Sequence, residues 1–213
     1  SKIVLARKTI VRFGRTMDAL ALFSRLRQRS RGCFHYYVQP AAGAAFLGAT
    51  PERLFRRRGR EVDSEALAGT AARGQNARVD RQNRKQLLRS AKETLEHRMV
   101  VDSIRDALQG CCLRLASDAA CSILKLTTAQ HLITRFRGVL KPGVSDAELL
   151  AALHPTPAVG GCPTDRALAA IARLEPFRRG WYAGPVGFVG QDEADFAVAL
   201  RCALVRRRAL DLF

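Results

Sequence analysis

The pattern of apolar and polar positions predicts one long helix near the middle of the chain. Over residues 80–108, apolar side chains recur at intervals of three, four and seven residues. This spacing places them on one face of a helix, so the segment is predicted to be amphipathic and to pack against a core. The apolar positions are 87, 88, 91, 95, 99, 100, 104 and 108.

The part of the chain before this helix is predicted to be mainly β-structure. An apolar run at 3–6 is typical of a buried strand, whereas 17–26 has the spacing of a short helix. Residues 33–39 and 44–48 indicate two strands paired across a Pro-Ala-Ala-Gly turn, and a second hairpin is predicted around residues 58–60.

Strands and helices are mixed in the rest of the chain. The predicted elements are short strands at 113–115 and 123–126, a strand ending near 135, helices at 146–153 and 164–174, and β segments at 184–189 and 196–205. Because this order lacks regular strand–helix–strand repetition, it favours the α+β class over a doubly wound sheet. The length of 213 residues and the apolar content of 47% suit one domain with a substantial core.

The chain is strongly basic. It has 36 Lys and Arg against 19 Asp and Glu, a net charge of +17, which suits a nucleic acid, an anionic membrane surface or an acidic substrate as partner. The arginines are scattered except in runs at 56–58 and 206–208, and few aromatic residues accompany them. We therefore expect a solvated basic surface and no nucleic-acid partner.

Neither the cysteines nor the apolar runs indicate a secreted or membrane protein. The six cysteines form no Cys-x-x-Cys pair and no zinc-ligand spacing, which is typical of reduced thiols in the cytoplasm. No apolar run reaches the length of about 18 residues that spans a bilayer. We expect a cytoplasmic protein with no membrane partner.

Two loops rich in glycine and proline flank the predicted helix at 164–174. They read LHPTPAVGGCP at 153–163 and RRGWYAGPVGF at 178–188. Rigid turns of this kind expose backbone N–H groups, so we expect these loops to face an anionic ligand.

Two glutamates are candidates for chemistry. Glu96 borders the apolar stripe of the long helix, where a buried carboxylate must be paired, protonated or bound to a metal. The alternative is a surface pair with Lys92, one turn earlier. Glu52 follows a Thr-Pro pair typical of helix starts, and a helix dipole there would lower its pKa and oppose a role as general acid. His97, which directly follows Glu96, is interpreted as structural.

A small-residue segment and two basic residues add further candidates. Residues 67–70 read LAGT, which predicts a tight turn after a strand, with free N–H groups and one hydroxyl. His131 and Arg201 each lie in an apolar strand pattern. An arginine in such a strand needs an anionic partner, either the carboxylate of a ligand or a structural Asp or Glu.

Taken in order, eight segments resemble the chorismate-utilising enzymes, and most closely their isochorismate synthase branch. They are KIVLAR (2–7), FLGATPERLF (46–55), SEALAGTAARG (64–74), KETLEH (92–97), QHLIT (130–134), LHPTPAVGGCP (153–163), RRGWYAGPVGF (178–188) and FAVALRCALV (196–205). The resemblance extends over nearly the whole chain.

This resemblance implies both a fold and a reaction. The fold would be α+β, with two packed β-sheets, helices on their outer sides and a pocket between them. The reaction would convert chorismate to isochorismate, adding water at C2 while the C4 hydroxyl leaves. Lys2 would deprotonate the water, Glu52 would protonate the leaving hydroxyl, and Glu96 would hold Mg²⁺. The positions implied to bind chorismate are Gly69, Thr70, His131, Tyr182 and Arg201.

The same resemblance favours one branch of the family. Lysine in the first strand, alanine at 68 and the HPTPAVGG loop are similar to isochorismate synthases rather than to aminodeoxychorismate or anthranilate synthases. LAGT instead of LAGS favours the menaquinone over the siderophore pathway. The alternatives are a salicylate- or anthranilate-type synthase on the same scaffold and a catalytically inactive chorismate-binding module.

The sequence departs from the family pattern at both ends. In the family, further elements precede the lysine strand, and a glycine-rich turn and a helix with a second metal-binding glutamate follow the last strand. Residues 1–213 are therefore expected to be a chorismate-binding catalytic domain truncated at both ends. Because Lys2 would lie on a fraying terminus, we expect this chain by itself to be weakly active or inactive.

Overall fold

Fourteen strands and five helices make up the chain. The computed structural model describes residues 1–213. In chain order the elements are β1 (Lys2–Ile3), β2 (Thr9–Arg12), α1 (Ala19–Arg29), β3 (Phe34–Ala41), β4 (Ala44–Thr50), β5 (Arg53–Arg58), β6 (Glu61–Ala72), α2 (Ala77–Arg89), α3 (Ala91–Cys111), β7 (Cys112–Ser117), β8 (Ser122–Lys125), β9 (Ala129–Leu140), α4 (Asp146–Leu153), β10 (Gly161–Cys162), α5 (Thr164–Leu174), β11 (Pro185–Val189), β12 (Glu193–Val198), β13 (Cys202–Arg206) and β14 (Ala209–Leu212).

Most strands belong to two antiparallel sheets. The five-stranded sheet has the order β2-β14-β13-β4-β3. The seven-stranded sheet has the order β11-β12-β5-β6-β9-β7, and β8 also pairs with β9. The short strands β1 and β10 form a separate pair in which Lys2 lies opposite Cys162.

The chain passes directly between the two large sheets at two places. After β4 it leaves the five-stranded sheet and crosses through residues 51–52 into β5. After β12 it returns through residues 199–201 into β13. A backbone hydrogen bond of 3.0 Å runs from Val198 N, at the end of β12 just before the second crossing, to Glu52 O in the first crossing. Residues of both crossings therefore lie side by side where the sheets meet.

The helices cover the outer faces of the sheets. α3 and α4 pack on the seven-stranded sheet, and α1 packs on the five-stranded sheet. None of the helices combines the length and the apolar character that crossing a membrane requires. The larger core includes Phe55, Val62, Val100, Ile104, Leu108, Phe136, Leu140 and Leu149. This architecture confirms the expected α+β class with two packed sheets and external helices.

Several predicted elements are confirmed. The helices at 146–153 and 164–174 are α4 and α5, and the predicted hairpins are β3–β4 and β5–β6. α4 begins with a capping box, in which Ser145 and Glu148 satisfy each other's backbone N–H groups. Local sequence determines these elements, so pattern and structure agree.

The single helix predicted at 80–108 is in fact two helices that meet at Ser90. The Ser90 N–H donates to Leu87 O at 3.3 Å and ends α2. Its Oγ accepts a hydrogen bond of 3.3 Å from Glu93 N and starts α3. Because the apolar period continues through this junction, the period alone did not reveal the break.

Three predicted strands are wrong in extent. The run at 3–6 contributes only β1, and Ile3 and Leu5 are about half exposed rather than buried. The segment at 196–205 is interrupted, because the chain leaves one sheet after Val198 and enters the other at Cys202. The strand predicted to end near 135 continues to Leu140.

Candidate active site

All eight residues singled out in the sequence line one cavity where the two sheets meet. Its volume is about 600 Å³, a size that accepts a small organic ligand. The contributors are Lys2 from β1, Glu52 and Arg201 from the two crossings, Gly69 and Thr70 from β6, Glu96 from α3, His131 from β9 and Tyr182 from the loop after α5.

Glu52 is buried at the first crossing, with 4% of its surface exposed. The Thr156 hydroxyl donates a hydrogen bond of 3.3 Å to its Oε1. Its own N–H donates to Thr50 Oγ1 at 3.3 Å. The helix start predicted here is wrong, since residues 51–52 join two strands. No helix dipole therefore lowers the pKa of this carboxyl.

Burial raises the pKa of Glu52 to about 7. The cause is the loss of water around the carboxylate, which disfavours its charged form. The hydrogen bond from Thr156 and the positive charge of Lys2 oppose this rise, and the negative charge of Glu65 adds to it. A carboxyl with this pKa can hold a proton near neutral pH, as a general acid must.

Lys2 and Glu96 form an ion pair in the cavity wall. Lys2 Nζ lies 3.7 Å from Glu96 Oε2. Glu96 also pairs with Lys92 on the preceding helical turn, at 4.0 Å. The surface pair predicted for Glu96 is thus present, and the carboxylate reaches the cavity as well. His97 does not line the cavity; its Nε2 lies 2.8 Å from Thr134 Oγ1 in the protein interior.

The segment that carries Lys2 is held at several points. Lys2 pairs with β10, and Val4 N donates to Gly160 O at 3.1 Å. The guanidinium of Arg179 donates to Val4 O at 2.8 Å. These contacts differ from the expected fraying, because Lys2 itself and the residues that follow it are held.

The LAGT segment lies inside β6 and is not a turn. The register between β6 and β9 shifts between Ala68 and Thr70, and Gly69 adopts a φ of 79°. This is a β-bulge at a backbone conformation that favours glycine. Thr70 N donates to Glu93 Oε2 at 2.9 Å. Its N–H is therefore occupied, and the hydroxyl is the donor left for a ligand.

Arg201, His131 and Thr70 form a hydrogen-bonded row. Arg201 Nη2 lies 2.8 Å from His131 Nε2, and Thr70 Oγ1 lies 3.0 Å from His131 Nδ1. A guanidinium can only donate, so Nε2 accepts and the proton of the neutral imidazole resides on Nδ1. Nδ1 then donates to Thr70 Oγ1, which leaves the hydroxyl proton of Thr70 free for an acceptor.

The charge state of His131 agrees with this hydrogen-bond order. Burial, reinforced by the positive charge of Arg201, lowers the pKa of His131 to about 4. The imidazole is consequently neutral near pH 7. The row presents a guanidinium and a hydroxyl donor, which suits a carboxylate ligand.

Arg201 lies at the second crossing and not in a strand as predicted. Its φ of 48° is in the left-handed region that arginine rarely adopts. Its carbonyl accepts a hydrogen bond of 3.3 Å from Ala49 N. The guanidinium contacts His131 and lines the cavity without a structural Asp or Glu partner. Of the two partners considered, this arrangement favours a ligand.

Two residues of the site, Thr156 and Phe213, were not identified from the sequence. Phe213 stacks on the ring of Tyr182, with ring centroids 5.2 Å apart and planes inclined by 13°. Burial raises the pKa of Tyr182, so its hydroxyl keeps its proton. Thr156 lies inside the LHPTPAVGGCP motif, which could have indicated it; the terminal Phe213 carried no signal.

The two glycine-rich loops contribute less than expected. Only Ala158 and Tyr182 from these loops line the cavity. The N–H groups of Val159 and Gly160 both donate to Thr156 O, at 3.1 and 3.0 Å. These amides close their own turn, so the expected array of free N–H groups facing an anion is wrong.

The donor set fits a single protein ligand for Mg²⁺. No cluster of three or more Asp, Glu, His or Cys side chains in the structure could hold a metal ion. Mg²⁺ is commonly bound through one or two carboxylates, with substrate oxygens and water completing its coordination. The Glu96 carboxylate, one-third exposed at the cavity, fits that mode, whereas a metal held by protein groups alone does not fit.

Fold and site together define an α+β protein with a cavity that pairs a buried carboxyl of raised pKa with donors for an anion. The sequence places it in a family: the model of the family described as "Chorismate binding enzyme" matches residues 1–213. The chain belongs to this family.

The relatives include isochorismate synthases from plants and bacteria. The chain is 41% identical over 207 residues to isochorismate synthase 2, chloroplastic, of Arabidopsis thaliana, covering 97% of this chain and 37% of that protein. It is 36% identical over 213 residues to isochorismate synthase MenF of Bacillus subtilis, covering 100% of this chain and 45% of that protein.

A solved structure supports the same relationship. The menaquinone-specific isochorismate synthase MenF of Escherichia coli superposes with a TM-score of 0.92 and 36% identity, covering 99% of this chain and 49% of that chain. The chain thus spans half or less of the length of these three relatives.

Proposed function

We propose that the protein is an isochorismate synthase, converting chorismate to isochorismate by adding water at C2 and releasing the C4 hydroxyl. The observation that carries this proposal is the burial of Glu52, whose raised pKa suits a proton donor, in one cavity with Lys2 and the Arg201–His131–Thr70 row. The names of the relatives support the choice of reaction.

The proposed mechanism uses two residues of the cavity for two proton transfers. Lys2 must give up its proton and its ion pair with Glu96 before it can take a proton from the attacking water, and Glu52 gives a proton to the departing C4 hydroxyl, which leaves as water. One water is consumed and one is released, so the conversion is an isomerisation. The donors of Arg201 and Thr70 bind a carboxylate of chorismate, and Tyr182 and Gly69 line the remaining wall.

Glu96 is the proposed protein ligand of Mg²⁺. When bound, the ion neutralises a carboxylate of the substrate and fixes its orientation. The menaquinone pathway is the proposed destination of the product, on the LAGT form of the motif and the MenF relatives.

The test is product analysis with chorismate and Mg²⁺. Residues 1–213 and the product of the complete reading frame are each incubated, and isochorismate and pyruvate are followed by chromatography. Lys2→Met removes the base, and Lys92→Met changes a more exposed lysine that also contacts Glu96. We expect the product of the complete reading frame to form isochorismate without pyruvate. This activity should be lost in Lys2→Met and retained in Lys92→Met.

Other outcomes would assign a different function. Pyruvate together with an aromatic product would move the protein to the salicylate- or anthranilate-type synthases. Chorismate binding without any product from the complete reading frame would identify an inactive binding module.

A further inference from the structure

Near the first crossing, side chains of β6 rather than its backbone form the hydrogen bonds to β5. Backbone pairing between β5 and β6 extends from Arg58 opposite Glu61 to Arg56 opposite Asp63. Beyond that point, Ser64 Oγ donates to the carbonyl of Leu54 at 2.7 Å. The two strands remain connected through this side chain although their backbones have separated.

Glu65 makes the next contact along the same strand. Its Oε1 accepts a hydrogen bond of 3.2 Å from Arg53 N, the backbone group that directly follows Glu52. On the other side, Val198 N donates to Glu52 O at 3.0 Å. The peptide that joins Glu52 to Arg53 is thus held from β6 and from β12 at once.

We propose that Glu65 is a positioning residue for Glu52, holding the backbone of the first crossing so that the acid faces the cavity. The proposal rests on the proposed function only in naming Glu52 as the acid. Glu65 does not itself line the cavity, so it acts through Glu52 and not on the substrate.

The charges around this pair support the same role. The groups that act on Glu52 are the Thr156 hydroxyl, Lys2 and Glu65, and Glu65 favours its protonated form. Burial raises the pKa of Glu65 itself, while Arg53 and Arg135 oppose that rise and Asp195 adds to it. Arg53 also donates to both oxygens of Asp195, at 3.1 and 3.2 Å, so its charge is shared between two carboxylates. Tyr182 also lies within electrostatic range of Glu52.

Three variants separate the charge of Glu65 from its hydrogen bond. Glu65→Gln removes the charge and keeps an oxygen acceptor for Arg53 N. Glu65→Ala removes both. Glu61→Gln makes the same change of charge at an exposed glutamate on the same strand and serves as the matched control.

The first measurement is the titration of the Glu52 carboxyl by ¹³C NMR in the complete protein, assigned with Glu52→Gln. We expect Glu65→Gln to lower the titration midpoint by roughly half a pH unit or more, and Glu61→Gln to leave it unchanged. An unchanged midpoint in Glu65→Gln, or an equal change in the control, would overturn the electrostatic part of the role.

The second measurement is the pH profile of kcat and KM with chorismate. In Glu65→Gln the alkaline limb of kcat should move to lower pH in step with the NMR midpoint. In Glu65→Ala kcat should also fall by roughly tenfold with KM nearly unchanged. Equal kcat in Glu65→Gln and Glu65→Ala would overturn the positioning role. If the wild type makes no isochorismate, the proposed function fails, while the NMR titration still decides whether Glu65 acts on Glu52.

Discussion

At the scale of single residues, Glu52 is the group whose properties depend most on its surroundings. A glutamate has an ordinary pKa of 4.5, and burial at the crossing raises it to about 7. The family motif indicated this residue. The Thr-Pro pair before it also predicted a helix start, however, and a helix dipole there would have lowered the pKa of Glu52. The rise comes from burial where the two sheets meet, with a smaller contribution from Glu65 and against the hydrogen bond from Thr156, and local sequence pattern could not reveal this tertiary effect.

This raised pKa predicts a pH-dependent stability. Below about pH 4.5 the carboxyl is neutral in the folded and unfolded states. Between about 4.5 and 7 only the unfolded state ionises, so the free energy of unfolding falls as pH rises and levels off above pH 7. Relative to Glu52→Gln, the wild type should lose on the order of 3 kcal/mol across this window.

Urea unfolding of both proteins at pH 4, 5.5, 7 and 8.5 checks this expectation. The difference between Glu52→Gln and wild type should grow with pH and then become constant. A difference that is the same at every pH would contradict the raised pKa.

A second residue-scale prediction concerns Thr70. Its hydroxyl proton is free because His131 Nδ1 occupies its oxygen. Thr70→Val should raise the Kd for chorismate roughly tenfold or more, since a hydrogen bond to a charged group contributes about 1.5–3 kcal/mol. Thr70→Ser keeps the hydroxyl and should bind nearly as well as the wild type. Isothermal titration of both variants makes the comparison, and equal weakening in both would exclude the hydroxyl as a donor.

At the scale of elements, the short strand β10 determines where Lys2 lies. Gly161 has a φ of 132°, and a Cβ there would stand 2.1 Å from Lys2 O. At the neighbouring Gly160, the nearest atom to a Cβ would be 3.6 Å away, an ordinary contact. The two adjacent glycines thus differ in whether they tolerate a side chain.

Gly161→Ala is accordingly expected to displace β1 and lower kcat by tenfold or more, through loss of the base's geometry. Gly160→Ala should retain most activity. Steady-state kinetics gives the comparison, with circular dichroism to confirm folding. Similar kcat values for the two variants would mean that β1 is not what places Lys2.

Element boundaries were predictable where local chemistry sets them. The capping residues of α4 can be recognised in the sequence. A Ser-x-x-Glu pattern also begins at Ser90 and could have revealed the break between α2 and α3. In the structure the Glu93 side chain does not complete a capping box, because it accepts from Thr70 N instead. The interruption at Arg201 had no such signal, because no glycine or proline marks the change of sheet.

At the scale of the whole molecule, net charge adds to the chemistry of the cavity. A protein of charge +17 attracts a dianion such as chorismate over a distance that salt shortens. We expect kcat/KM to fall severalfold between about 10 mM and 150 mM ionic strength, with kcat nearly constant. Assays in NaCl, with sucrose as a viscosity control, measure it. A kcat/KM that is independent of salt would exclude electrostatic steering.

The arrangement of the whole site could not be derived from the spacing of its residues. Lys2 and Arg201 lie at nearly opposite ends of the sequence, and a strand pairing and a change of sheet bring them to one cavity. The family resemblance predicted that these residues converge. Periodicity and composition alone predicted only a mixed fold with one amphipathic helix.

The two crossings also have a mechanical consequence. The chain passes directly between the large sheets only there. Val198 N of β12 donates to Glu52 O of the first crossing, and Ala49 N of β4 donates to Arg201 O of the second. These two connections tie the sheets together beside the cavity. Glu52 and Arg201 lie on the connections, whereas Thr70 lies within β6 of one sheet. A ligand that contacts all three would add a further link between the sheets, so filling the cavity is expected to stabilise the folded protein as well.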